Sequence, residues 1–240
     1  MSTPQEMWEA LPPLSKTWLG LSVLATLTTE LGTISISSLH FAAPLVYRDF
    51  QLWRLVSTFF YFGKPSFGFL MSLFMLARFS SSVEMDPFKT SRMGGSADYA
   101  FMLMIMGTGC LLISWYMQMP FMAHSLVFGV LYVWSKRHPE DPTSIWGFRF
   151  TGKHLPWALM AFTVLIGGSP IPDIIGVIVG HVYYFLVDAY PRMKGGPVVQ
   201  TPEFLIALVH GATAQPYAAP AGATTGFQRH NWGVGRRLGD

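Results

Sequence analysis

Residues 172–185 read PDIIGVIVGHVYYF, an apolar run that contains one aspartate and one histidine. Titratable side chains are costly inside a membrane helix, so Asp173 and His181 are candidate functional groups. Gly176 and Gly180 lie on one face of the predicted helix, as in the small-xxx-small pairs that let membrane helices approach closely. The run is therefore the catalytic helix of an intramembrane enzyme, a remnant of one, or a packing helix. We expect the two glycines to pack against the fourth apolar run of the chain.

The composition is that of an integral membrane protein. Of the 240 residues, 51% are hydrophobic and 12% are charged, whereas soluble domains have about 25% charged residues. The mean hydropathy is +0.37. The single cysteine, Cys110, excludes a disulfide within the chain, and the seven histidines lack the spacing of metal ligands. We therefore expect no metal and no other cofactor. The slight excess of basic residues is too small to indicate a nucleic-acid partner.

Six apolar runs predict an all-α membrane protein with six spans. They are Trp18–Ile36, Phe59–Phe79, Tyr99–Met119, Phe121–Trp134, Leu155–Ser169 and Ile171–Tyr190. The fourth and fifth runs have about 14 and 15 residues, so as helices they would extend about 21–23 Å. The hydrocarbon core of a typical bilayer is about 30 Å thick. These two helices must therefore include flanking residues, or the bilayer must be thinner around them.

The basic residues predict the orientation of the six spans. If the N-terminus is cytosolic, thirteen of the sixteen Lys and Arg residues lie on the cytosolic side. Only Arg48, Arg54 and Lys64 then lie on the opposite side. Because basic residues accumulate in cytoplasmic loops, both termini are predicted to be cytosolic.

Three parts of the chain differ in character. Residues 1–16 are predicted to form a cytosolic N-terminal segment, and residues 17–190 the six-span membrane domain. Residues 191–240 are predicted to be a flexible cytosolic tail. Within the tail, residues 211–226 carry no charge and are rich in Ala, Gly, Pro and Thr. Such a segment buries too little apolar surface to order itself, so it is expected to act as a tether for residues 227–240.

Three motifs together resemble the Derlin family, the rhomboid-like membrane proteins of endoplasmic-reticulum-associated degradation. They are FQLWRLVSTFFYFG at 50–63, LYVWSKRHP at 131–139 followed by GVIVGHVYYFLVDAYP at 176–191, and RHNWGVGRRLGD at 229–240. The resemblance implies a six-span rhomboid-like fold in the endoplasmic reticulum membrane, with a disordered cytosolic tail. It also implies a role in moving misfolded proteins from the endoplasmic reticulum to the cytosolic proteasome.

The resemblance further implies the partners of the chain. They are the valosin-containing AAA+ ATPase, a membrane ubiquitin ligase complex, misfolded protein substrates, the lipid bilayer, and further subunits in a homo- or hetero-oligomer.

The protease motif of rhomboids is altered in this chain. Rhomboid proteases pair a serine in a G-x-S-G element with a histidine in an H-x-x-G-x-x-x-G element. Here Ser125 stands at the nucleophile position without either glycine, and Asp173 stands at the position of the base. An unperturbed aspartate titrates near pH 4, so it is a poor base at neutral pH. His124 is adjacent to Ser125 and points about 100° away, while His181 lies about 12 Å along the helix from Asp173.

The altered motif predicts a rhomboid-like pseudoprotease that is not an enzyme, with Ser125 and Asp173 as vestigial protease positions. The alternative is an active rhomboid-type intramembrane serine protease that uses Ser125. A third hypothesis, a small-solute transporter, lacks the two related halves with discontinuous helices that such transporters show.

Two interpretations of Trp53 and Arg54 remain open. The pair can anchor the chain at the membrane interface, with the indole at headgroup level and the guanidinium reaching to water. Alternatively, as the resemblance implies, the luminal loop motif packs into the fold beside the first span and shapes the luminal surface.

The motif at the end of the tail is the one best suited to bind a partner protein directly. An aromatic and an aliphatic side chain can fill pockets on a partner, glycines allow close approach of the backbone, and arginine adds charge. The predicted ATPase-binding residues are Trp232, Gly233, Gly235, Arg237, Leu238 and Gly239. The alternative interpretation is an ordinary basic, disordered tail.

Overall fold

A computed structural model describes residues 4–88, 90–91, 95–145, 148–194 and 199–210. Most of the described chain is helical. The α-helices are α1 (Pro4–Glu9), α2 (Pro13–Glu30), α3 (Ile36–Leu39), α4 (Ala43–Arg48), α5 (Arg54–Ser57), α6 (Phe67–Met75), α7 (Ser81–Met85), α8 (Ser96–Met117), α9 (Ala123–Arg137), α10 (Leu155–Leu165), α11 (Ile171–Tyr184), α12 (Tyr190–Lys194) and α13 (Glu203–His210). Two π-helical turns, Leu76–Ser80 and Phe185–Ala189, continue α6 into α7 and α11 into α12.

The six predicted apolar runs correspond in order to α2, α6, α8, α9, α10 and α11, but several boundaries differ. Helix α2, in the first run, begins at Pro13 rather than at Trp18, because proline is well suited to the first turn of a helix. The second run begins at Phe59, whereas α6 starts only after Ser66, whose hydroxyl accepts the N–H of Phe69 and caps the helix.

Two of the described helices are long and apolar enough to cross a membrane: Ser96–Met117, with 22 residues, and Ile171–Met193, with 23 residues. The helices in the fourth and fifth runs are shorter. Helix α9 has 15 residues and α10 has 11, so they extend about 22 and 17 Å. Both values are below the hydrocarbon thickness of about 30 Å.

A short β-hairpin corrects the all-α prediction. Strands β1 (Pro142–Ile145) and β2 (Phe148–Thr151) pair in antiparallel fashion between α9 and α10, with Thr143 opposite Phe150. No long apolar run marks the hairpin, because it lies in a polar stretch and each strand has only four residues. A single 3₁₀ turn, Gly152–His154, then leads into α10.

The centre of the core is the contact between α9 and α11. A Cβ atom on Gly176 would lie 2.5 Å from the carbonyl oxygen of Ser125, and one on Gly180 would lie 2.8 Å from the carbonyl oxygen of Gly129. Real Cβ atoms essentially never approach a heavy atom within 3.0 Å. The α9–α11 distance therefore requires glycine at both positions of α11.

The buried carboxylate of Glu84 holds the start of α2. Its oxygens accept the backbone N–H groups of Leu14 at 3.0 Å and Ser15 at 2.7 Å, and the hydroxyls of Ser15 and Ser96, each at 2.7 Å. A negative charge at a helix N-terminus is favourable because the first N–H groups lack partners within the helix. Ser15 is fully buried, so the predicted N-terminal segment 1–16 overlaps the packed domain.

The buried carboxylate of Asp98 holds the chain that leads into α13. It accepts hydrogen bonds from the hydroxyls of Thr90 at 3.0 Å and Thr201 at 2.7 Å. The Thr201 N–H also donates to the Thr90 carbonyl at 3.1 Å. The first part of the predicted flexible tail, 191–240, thus contains a helix that packs on α8, whereas residues 211–240 lie outside the described residues.

We predict that Gly176→Ala lowers the free energy of unfolding by about 1–3 kcal/mol, because the added methyl group overpacks the α9–α11 contact. Thermal unfolding of the full chain in detergent measures the effect. Gly20→Ala is the matched control: its Cβ would meet only a Trp8 ring carbon at 3.5 Å, and alanine favours the helix. Equal unfolding temperatures for the two variants would contradict the packing argument.

Candidate functional site

Ser125, at the nucleophile position of the rhomboid motif, is fully buried in the first turn of α9. Among the described residues, its hydroxyl has no hydrogen-bond partner. A serine nucleophile needs a neighbouring base to take its proton. Neither Asp173 nor His124 makes that contact, so the geometry does not activate Ser125.

Asp173, at the base position, pairs instead with His124. The Asp173 side chain is fully buried, and its Oδ1 atom lies 2.7 Å from His124 Nε2. The other ring nitrogen, Nδ1, lies 3.2 Å from the hydroxyl of Ser72. This cluster joins α6, α9 and α11 through one imidazole. In the sequence His124 is adjacent to Ser125, and no spacing signal connects it to Asp173, which is 49 positions away.

The α9–α11 contact explains why these groups meet. Asp173 lies one turn before Gly176, in the first turn of α11, and His124 lies in the first turn of α9. Close approach at Gly176 therefore brings the Asp173 carboxylate beside the N-terminus of α9. The N-terminal end of a helix favours negative charge. The Oδ2 atom has no partner among the described residues, so His124 supplies the one hydrogen bond that compensates the buried carboxylate.

The Ser72–His124–Asp173 cluster has the residue types of a hydrolytic triad, but its serine hydroxyl is also engaged with the backbone of its own helix. The Ser72 hydroxyl donates to the carbonyl of Gly68, four residues earlier, at 3.0 Å. Ser72 also lies inside α6, where the surrounding backbone N–H groups are used by the helix and are not free to stabilise an oxyanion. The cluster therefore connects three helices and does not present an activated nucleophile.

A cavity of about 280 Å³ lies between α6, α9 and α10, next to this cluster. Ser72 and His124 form its polar end, and the His124 side chain is 36% exposed. Three phenylalanines, Phe62, Phe69 and Phe162, form part of its apolar wall. The site therefore combines a hydrogen-bonding imidazole with an aromatic surface.

The second candidate polar residue of α11, His181, belongs to a different contact. Its Nδ1 atom lies 2.8 Å from the hydroxyl of Tyr132 on α9. The structure therefore places His181 and Asp173 in separate hydrogen-bond pairs, as their eight-residue spacing indicates.

The two residues of the loop motif have different environments. The Arg54 side chain is buried, and its Nη1 atom donates to the carbonyl oxygens of Ser37 at 2.6 Å and His40 at 2.9 Å. The Trp53 side chain is 57% exposed. Arg54 thus fixes the loop that follows α3, as the packing interpretation requires, while the exposed indole of Trp53 fits the interfacial-anchor interpretation.

The predicted ATPase-binding residues lie outside the described residues. They are Trp232, Gly233, Gly235, Arg237, Leu238 and Gly239.

We predict that His124→Leu lowers the free energy of unfolding by about 3 kcal/mol, because removing one partner of a buried pair leaves the Asp173 charge uncompensated. The value is at the low end of the usual range since His124 is partly exposed. The double variant His124→Leu/Asp173→Asn removes the charge as well and should unfold at a higher temperature than the single variant. If both variants unfold at the same temperature in detergent, the pairing of His124 with Asp173 contributes nothing to stability.

Comparison with known proteins gives the family of the chain. A model of the Der1-like family matches residues 11–203. The chain is similar to Derlin-2.2 of Zea mays, with 37% identity over 238 residues that cover 93% of this chain and 94% of that protein. It is also similar to Derlin-1 of Homo sapiens, with 34% identity over 254 residues that cover both chains fully. This chain therefore belongs to the Der1-like family, the family of the Derlins.

Proposed function

We propose that this protein is a non-enzymatic component of endoplasmic-reticulum-associated degradation. It assists the retrotranslocation of misfolded proteins from the endoplasmic reticulum to the cytosol and recruits the valosin-containing AAA+ ATPase. Membership of the Der1-like family supports the proposal. The observation that supports a non-enzymatic role is that Asp173, at the base position, pairs with His124 at 2.7 Å. Among the described residues, the buried Ser125 hydroxyl has no hydrogen-bond partner.

In this proposal the chain crosses the endoplasmic reticulum membrane six times, with both termini in the cytosol. The spans are α2, α6 with α7, α8, α9, α10, and α11 with α12. The short lengths of α9 and α10 favour a locally thin bilayer. Each unpaired backbone group costs several kcal/mol in hydrocarbon, so a thinner layer lowers the cost of carrying a polar chain across it.

The alternative, an active rhomboid-type protease, requires that Ser125 be reached by a base. The geometry argues against it, because among the described residues the Ser125 hydroxyl has no hydrogen bond to Asp173, to His124 or to any other group. A serine-reactive fluorophosphonate probe separates the two functions: labelling that is lost in Ser125→Ala supports the protease.

We predict that Ser125→Ala leaves the turnover of a misfolded luminal reporter unchanged, since the hydroxyl it removes has no hydrogen-bond partner in the described part of the chain. The measurement is a chase of the reporter in cells that express only the variant. Ser15→Ala is the matched control, because it deletes a buried hydroxyl that is bonded to Glu84 and should lower the abundance of the protein. Slower turnover in Ser125→Ala at normal abundance would count against the non-enzymatic function.

The tail is proposed to hold the ATPase near the membrane. Because α13 packs on α8, the proposed tether runs from residue 211 to Trp232, about 20 residues. A flexible chain of that length has an r.m.s. reach of roughly 25 Å. The ATPase would thus stay close to the membrane domain without rigid docking.

We predict that Trp232→Ala weakens binding of a tail peptide to the N-terminal domain of the ATPase at least about tenfold, because a buried tryptophan anchor commonly contributes about 2 kcal/mol or more. A scrambled sequence at 211–226 should change the affinity less than about twofold, since this segment has no charge and no apolar cluster. Calorimetry measures both affinities. Equal affinities for the two variant peptides would show that the assignment of the tail is wrong.

The experiment that tests the proposed function as a whole is affinity purification from gentle detergent. The full chain should recover the ATPase and a membrane ubiquitin ligase complex, whereas a chain without residues 227–240 should recover the ligase alone. Recovery of neither partner by the full chain would overturn the proposal.

A further inference from the structure

We propose that the cavity between the end of α9 and the π-helical turn Phe185–Ala189 binds the phosphorylated headgroup of an anionic phospholipid. Lys136, Arg137 and Arg192 supply the positive charge and the hydrogen-bond donors. This basic cavity has a volume of about 550 Å³. The inference uses the membrane orientation proposed above, but it does not depend on a role in protein degradation.

The charged side chains that line the basic cavity do not balance. Lys136, Arg137 and Arg192 stand beside two carboxylates, Asp86 and Asp188. Arg137 pairs with Asp86, and Arg192 pairs with Asp188, so Lys136 has no carboxylate partner among the described residues. With the histidine of the lining counted as neutral, one positive charge is in surplus. An anion is therefore the ligand that the basic cavity favours.

Two tyrosine rings position the Lys136 ammonium group. Its Nζ atom lies 5.3 Å from the ring centroid of Tyr132 on α9 and 6.0 Å from that of Tyr184 on α11. These cation–π contacts hold the charge at the basic cavity. They use the faces of the rings and no oxygen acceptor, so the three N–H donors of the ammonium group can bind phosphate oxygens.

Arg137 is fixed by its carboxylate partner and keeps donors for a ligand. Its Nε atom donates to Asp86 Oδ2 at 2.9 Å, and Nη2 donates to Oδ1 at 2.6 Å. A guanidinium group has five N–H donors, so three remain beyond this bidentate pair. The planar group also matches the geometry of phosphate oxygens. Arg137 can therefore contact a phosphate without giving up Asp86.

Arg192 is the most mobile of the three cations in its pairing. Its side chain is 75% exposed, and its Nη2 atom lies 2.8 Å from Asp188 Oδ1. Exposed ion pairs of this kind contribute little to stability, because water screens them. A phosphate group can therefore replace Asp188 as the partner of Arg192 at small cost.

The location of the basic cavity favours a lipid headgroup over a soluble phosphate. In the proposed orientation it lies on the cytosolic side, where anionic lipids are present and where basic pockets between membrane helices bind phosphorylated headgroups. Phe88 and Tyr184 also line it, with ring centroids 6.0 Å apart. They offer an apolar surface to the glycerol and upper acyl groups of a lipid. The volume is within the range of about 300–1,000 Å³ typical of small-molecule sites.

Lipid titration of the purified full chain in neutral detergent tests the proposal. The probe is a short-chain phosphatidylinositol monophosphate, and native mass spectrometry counts the bound lipid. Lys136→Gln removes the unpaired charge, and we expect it to weaken binding at least about fivefold. Lys16→Gln is the matched control, because Lys16 lies outside the basic cavity and also stands over an aromatic ring, 5.3 Å from the Trp8 centroid. It should change the affinity less than about twofold.

Asp188→Asn distinguishes ligand binding from damage to the fold. The change removes a carboxylate from the lining and releases Arg192. The basic cavity then gains positive charge, so we expect the affinity for the lipid to rise at least about threefold. A change that only loosened the fold would lower the affinity.

Soluble and uncharged probes identify the source of the phosphate. They are inositol bisphosphate, inorganic phosphate, and phosphatidylcholine of the same chain length. We expect the anionic lipid to bind at least about tenfold more tightly than each of them. Equal binding of inositol bisphosphate or inorganic phosphate would overturn the assignment to a lipid, and equal binding of phosphatidylcholine would overturn the assignment to an anion.

Equal affinities of Lys136→Gln and Lys16→Gln, or no gain in Asp188→Asn, would also overturn the inference. The assay uses purified protein and is therefore independent of reporter turnover. Failure of lipid binding would leave the proposed function in degradation standing. Reporter turnover that does not depend on the protein would overturn that function and leave the lipid site in place.

Discussion

The close contact of α11 with α9 is the constraint on which the rest of the structure depends. Gly176 and Gly180 allow the backbones to meet, and at Gly176 the neighbouring atom is the carbonyl oxygen of Ser125. The same contact buries Ser125 and sets Asp173 beside His124. The burial of Ser125, the pairing of Asp173 with His124 and the helix packing therefore have one physical cause in this molecule.

Buried carboxylates connect this core to the rest of the described chain. Glu84 binds the N-terminus of α2, Asp98 binds the segment before α13, and Asp173 binds the first turn of α9 through His124. A buried charge is costly unless it is paired and hydrogen-bonded, so each carboxylate fixes its partners in position. Helices α6 and α10 border the cavity together with the end of α9 that carries His124.

Local sequence patterns indicated much of the helical fold, because apolar runs and the glycine spacing are visible within one helix. The glycine contact with the fourth run could be expected from Gly176 and Gly180 for that reason. The pairing of His124 with Asp173 could not, since its partners are 49 residues apart and lie on different helices. The bonds of Glu84 to Ser15 and of Asp98 to Thr201 span 69 and 103 residues. Such contacts depend on tertiary packing, which cannot be predicted from the spacing of residues within one helix.

Nuclear magnetic resonance of the His124 ring nitrogens in lipid bilayers tests whether Asp173, and not Ser125, is the hydrogen-bond partner of His124. Nitrogen shifts report the hydrogen bonds of both ring atoms. We expect that Asp173→Asn shifts the Nε2 resonance and that Ser125→Ala leaves both resonances unchanged. A response to Ser125→Ala, with none to Asp173→Asn, would contradict it.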